Sequence, residues 1–212
     1  MVFASYDLVK VFRILLDFKI NVELLTSANT KKQKNEINNK LREGQIDILI
    51  LNSGGPPAGN FASTDIASYE TALQNGLMSM IAMTKLVVPA MQTRKWGRVV
   101  AITSVAVRQP IASLILSNTV RAGLTGFLKT VSREVAPDGV TVNTIQPGIH
   151  ATDRITQLYG STPDVGTMGI PAGVIGDPKD FGNVTAFLCS ESAKFITGAN
   201  LQVDGGAYSG LI

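Results

Sequence analysis

The chain has 212 residues, 45% of them apolar, enough for one sizeable core and short for two, so a single domain over 1–212 is expected. Its one cysteine, Cys189, excludes an internal disulfide and points to a reducing compartment; no apolar run reaches membrane-spanning length and no leader pattern opens the chain, which points to a cytoplasmic protein. The net charge of +3 is local, since residues 1–43 carry eight Lys or Arg against five acids while the remainder carries eleven of each; no aromatic residues interleave with the lysines of "NTKKQKNEINNKLRE", so a solvated helix is expected there and nucleic-acid binding is not.

In chain order, a short "MVFAS" strand precedes a helical stripe of Leu8, Val11, Phe12, Leu15 and Leu16. "INVELLT" reads as a strand, the basic stretch as a helix, and "IDILILN" as an apolar strand. Helix fills Asp65 to Met91, "RVVAIT" is a strand, and Ser113 to Glu134 is helical. "VTVNTIQ" is a further strand, Pro178 to Leu188 a helix whose end packs the Cys189 thiol, and "NLQV" a last strand. Short apolar strands separated by helices predict an α/β, doubly wound, mostly parallel sheet of six strands with helices on both faces. No repeat, low-complexity segment or linker divides the chain.

In such sheets ligands bind beyond the carboxyl ends of the strands. The segments there are "LNSGGPPAGN", "TSVAVRQP" and "QPGIHATDR", and Gly54, Gly55 and Gly59 allow either a close backbone approach or a plain turn.

Four segments together resemble the short-chain dehydrogenase/reductase family, in its branch similar to 3-oxoacyl-[acyl-carrier-protein] reductases. These are "IDILILNSGG", "GRVVAITS", "GVTVNTIQPGIHATD" and "FLCSESAKFITGANLQVDGG", in the family's order and spacing. The resemblance implies a Rossmann-like fold and hydride transfer between NAD or NADP and a carbonyl or alcohol of a small-molecule substrate. It also implies a serine, a tyrosine thirteen residues on and a lysine four further. The serine falls on Ser104; the tyrosine position holds Ser117 and the lysine position Arg121. A family asparagine falls on Gly76, with Asn75 one place away. By the same resemblance Asn52, Ser53 and Gly54 after one strand, and Pro147, Gly148, Ile149 and Thr152 after another, would contact the cofactor.

The departures carry chemistry. A phenol beside a cation can protonate an alkoxide near neutral pH, whereas an aliphatic hydroxyl such as that of Ser117 cannot. Arg121 stays charged, so it can hold an anion or oxyanion but cannot relay protons. His150 and, less so, Tyr159 are the alternative proton sources, against the plainer reading of His150 as an exposed loop residue. The family's glycine-rich phosphate turn is missing: "VFASYDLVKVF" keeps Ala4 and Ser5, has no glycine, and sets Asp7 at the helix start, so weak or absent dinucleotide binding is expected. Two functions stay open, an oxidoreductase with an altered site and a non-catalytic relative that binds a small molecule or assembles. Leu116, Val120, Leu124, Phe127, Leu128 and Val131 exceed what one covered helix face requires, and the family habit of pairing this helix implies a homodimer or homotetramer.

Overall fold

Alternation of apolar side chains along the strands decides which face each residue covers. In the computed structural model, residues 43–160 and 163–211 are described, with residues 32, 35, 36, 39 and 40 also placed, all five of them helical. The expected strands "MVFAS" and "INVELLT" and the contracted glycine turn lie outside the described residues.

Among the described residues four strands form one sheet: β1 (Ile48–Leu51), β2 (Gly97–Ile102), β3 (Val140–Pro147) and β4 (Asn200–Val203). They lie in that order, and every pairing is parallel. Leu49, Leu51, Val99, Ala101, Val140 and Val142 point to one face. Ile48, Ile50, Val100, Ile102 and Ile145 point to the other.

The first face is covered by two helical stretches. One runs from α1 (Ile66–Leu73) through a π-helical turn (Gln74–Met78) into α2 (Ser79–Arg94), over the span 65–91 where helices are expected. Asp65 caps it, its carboxylate accepting from the Ser68 amide at 2.8 Å, and that bond holds its carboxyl below the usual carboxylate range. The other is α3 (Ile115–Val135). The opposite face is covered by α6 (Pro178–Cys189), expected from Pro178, which starts at an Asp177 cap with Pro178 in its first turn. Burial pushes the Cys189 thiol up to about 12, so it is an inert packed group. Two short helices, α4 (Asp153–Tyr159) and α5 (Val165–Met168), lie where no helix is expected.

Leu116, Val120, Leu124 and Leu128 of α3 are buried, and Phe127 and Val131 pack half-buried on the same core. Part of the apolar surface of Phe127 and Val131 stays accessible on this helix.

At the π turn α1 and α2 approach α3 so closely that a Cβ built on Gly76 would stand 2.5 Å from Val120 Cγ1. Glycine inside a helix ordinarily costs about 1 kcal/mol relative to alanine. Gly76→Ala should reverse that sign and destabilise by about 1–3 kcal/mol through overpacking. Val120→Ala in the same chain should restore most of the loss. Urea unfolding of the two single variants and the double variant reads the result.

Candidate active site

The carboxyl ends of β1, β2 and β3 open onto a cavity of about 430 Å³. The loop after β1 supplies Asn52, Ser53 and Gly55, β2 is followed by Ser104, and α3 supplies Ser117 and Arg121. From the loop after β3 come Pro147, Gly148, Ile149, His150 and Thr152. Every expected site residue thus converges here except Gly54, which neighbours the lining Gly55 without lining the cavity itself.

Each side chain is held in a definite way. Ser104 is extended and caps a 3₁₀ turn over Val105–Val107, its Oγ accepting from the Ala106 amide at 3.1 Å. The hydroxyl proton stays available for a ligand. Ser117 is buried and its Oγ accepts from Arg121 Nε at 3.2 Å, one helical turn away. Arg121 Nη1 donates to the carbonyls of Ile102 and Thr103, each at 2.8 Å. Burial, and secondarily the charge of Arg154, push the Arg121 guanidinium down to about 10, which still leaves it charged at neutral pH. The guanidinium is anchored to the carbonyls of Ile102, the last residue of β2, and of Thr103 just after it, beside Ser104.

His150 is not an exposed loop residue. Its ring is buried, meets Phe181 edge-on with centroids 5.1 Å apart, and lies against Gly176, whose backbone pairs with the His150 segment. Nδ1 is 3.3 Å from the Gly148 carbonyl. A carbonyl can only accept, so this contact places the proton on Nδ1 and leaves Nε2 a lone pair. Neutral His150 therefore offers an acceptor, not the missing acid. Tyr159 lines the same cavity, half of it exposed. Gly76, which holds the place of the family asparagine, is buried in the π turn and does not reach the cavity.

Two lining residues were not anticipated. Arg154, on α4, donates from Nη2 to the Pro56 carbonyl at 2.7 Å and lies over Gly55, where a Cβ would stand 2.8 Å from it. Tyr208 follows β4, with the Arg108 guanidinium 5.8 Å from its ring centre. Tyr208 obeys the same strand-end rule that singles out the other loops. Arg154 ends the strand-end segment "QPGIHATDR", but its bond had no signal, because its partner lies 98 residues away.

This arrangement bears on a dinucleotide. The close backbone approach that Gly55 permits is taken up by the guanidinium of Arg154, and the position of the family lysine is held by an arginine committed to backbone carbonyls. A dinucleotide would therefore meet the Arg154 guanidinium at Gly55 and an anchored arginine at residue 121.

The enoyl-(acyl carrier protein) reductase family model matches residues 18–208. The chain is 34% identical over 171 residues to an acetoacetyl-CoA reductase of Cupriavidus necator, covering 81% of this chain and 70% of that protein. It is 34% identical over 189 residues to a 3-oxoacyl-[acyl-carrier-protein] reductase of Aquifex aeolicus, covering 89% and 75%. Among solved structures, an NADPH-dependent reductase involved in bacilysin biosynthesis superposes with a TM-score of 0.81 at 26% identity, covering 94% and 83%.

Burial lowers the His150 pKa below its ordinary 6.5, against smaller raising effects of the Gly148 carbonyl and of Asp177, Asp180 and Asp204. Below 6.5 the unfolded chain then binds the proton more readily than the folded one. Stability should fall as pH drops from 6.5 through the folded-state value, and be insensitive to this group above that range. Proton NMR of the single imidazole should give a midpoint below 6.5, and His150→Gln should flatten the slope. A midpoint at or above 6.5 would contradict the buried ring.

Proposed function

The chain belongs to the short-chain dehydrogenase/reductase family of oxidoreductases, in its 3-oxoacyl-[acyl-carrier-protein] reductase-like branch, and from that premise we propose that it works chiefly as a small-molecule-binding member with carbonyl reduction curtailed. The observation that carries this reading is the bonding of Arg121. Its Nε and Nη1 are spent on Ser117 and on the carbonyls of Ile102 and Thr103, where the family's phenol and ammonium would act together. A permanently charged, anchored guanidinium can bind and polarise but cannot pass a proton. Loss of a general acid costs roughly 10²–10⁴ in rate. Ser104 keeps a free hydroxyl proton, which supports binding of a carbonyl or carboxylate oxygen.

NADH and NADPH should bind with a dissociation constant on the order of a millimolar, roughly 4 kcal/mol. Acetoacetyl-CoA and NADPH together should give no turnover above the uncatalysed rate. Cofactor fluorescence titration and absorbance at the reduced nicotinamide band measure the two, and micromolar affinity with turnover would reject the proposal.

A second reading is favoured by Tyr208, a phenol on the cavity wall with the Arg108 cation near its ring. On that reading the chain is an active oxidoreductase, dependent on NAD or NADP, whose proton comes from Tyr208. Tyr208→Phe would then abolish whatever turnover is found.

Assembly as a homodimer or homotetramer is supported by a further apolar surface beside α3. Phe61, just before α1, and Ile66, Met78 and Leu86, along the α1–α2 stretch, are 87%, 77%, 50% and 47% exposed. Light scattering at micromolar concentration should give at least twice the chain mass, and Leu86→Glu with Met78→Glu should reduce it.

A further inference from the structure

Two guanidinium groups line one cavity, and among the described residues no carboxylate lines it with them. Each has one plain structural duty. Arg121 ties α3 to the end of β2, and Arg154 ties α4 to the Pro56 carbonyl after β1. Those duties use Nε and Nη1 of Arg121 and Nη2 of Arg154, all on neutral oxygens. Neither arginine forms an ion pair among the described residues. Arg121 Nη2 and the Nε and Nη1 of Arg154 are therefore unspent. Two like charges held in a half-buried space repel, and burial leaves less water to screen them. Such a pair is normally balanced by an anion. Part of the wall is apolar: Ile111, Leu114, Ile155, Leu158 and Ile170 all line the same space.

We propose that Arg121 and Arg154 form a carboxylate site for a medium-length aliphatic acid, whose head group bridges the two guanidiniums and whose chain lies along that apolar wall. The proposal rests on reading the cavity as a ligand site and gives that ligand a chemical class. Both guanidiniums are fixed by backbone carbonyls before the ligand arrives, so little ordering remains for binding to supply. A planar carboxylate matches the planar donor fork of arginine, which a lysine would not offer. The neighbouring Ser104 hydroxyl and Thr152 add uncharged donors on the same wall.

The test is calorimetric titration of the full chain with octanoate and with octanamide, which share the alkyl tail and differ in charge. Octanoate should bind at least about tenfold tighter, the effect expected of charge-assisted over neutral hydrogen bonds. Arg154→Gln, checked for an unchanged thermal melt, should erase most of that ratio while leaving octanamide affinity within about twofold. Arg121 also anchors the fold, so it is not the deciding variant. If Arg154→Gln does not fold, the ratio in the unaltered chain and its decline with added salt decide instead. Equal affinity for the acid and the amide overturns the proposal, whatever a dinucleotide does. Reduction of acetoacetyl-CoA with NADPH would overturn the functional reading above and leave this ratio to be judged separately.

Discussion

A guanidinium that leaves water must find oxygen for its N–H groups, and the way Arg121 does so fixes the geometry of this site. It reaches from α3 to the two carbonyls that end β2, and on its way it engages the Ser117 hydroxyl. Those carbonyls immediately precede Ser104. One side chain thus sets the helix, the strand end and both serines relative to each other. A lysine could not do this, since a single ammonium on a flexible stem lacks the planar fork that holds two carbonyls and a hydroxyl at once. The same commitment sets a charge that cannot be switched off at the position of the family lysine.

The fold was legible in the sequence wherever local pattern and tertiary burial agree. Period-two alternation in "IDILIL" and "RVVAI" places Leu49 and Val99 on one face and Ile48 and Val100 on the other, as the packed clusters confirm. The helix starts expected at Asp65 and Pro178 fall at caps made by Asp65 and Asp177, local chemistry that needs no tertiary partner. The π turn at Gln74–Met78 was not legible, because one extra residue in a continuous helical run leaves no local signature. Helix α4 is seven residues long with Ile155 and Leu158 as its inward pair, too short to stand out from a loop. In the site, residues just past a strand were found by rule. The bonds that define their roles were not, because Arg121 and Arg154 bind main-chain carbonyls and any residue type presents those. The burial of His150 likewise depends on Gly176 and Phe181, which nothing near it in sequence specifies.

The departures from the family pattern are coupled physically. Gly76 stands where the resemblance places an asparagine, and its bare Cα lets the π turn settle against Val120, the residue before Arg121. Ala72, Leu116 and Val120 close this contact as a small cluster of their own, with Leu73, Leu77 and Ile115 packed around it. A side chain restored at 76 would push α3 away from the turn, and with it the helix that carries Ser117 and Arg121. Arg121 in turn resists that motion through its bonds to β2. Each departure therefore makes the others easier to keep and harder to reverse singly. Arg121 Nε and Nη1 each have an oxygen, Ser104 and Ser117 are both hydrogen-bonded, and the approach of Gly76 to Val120 is tight, so these features hold one another in place.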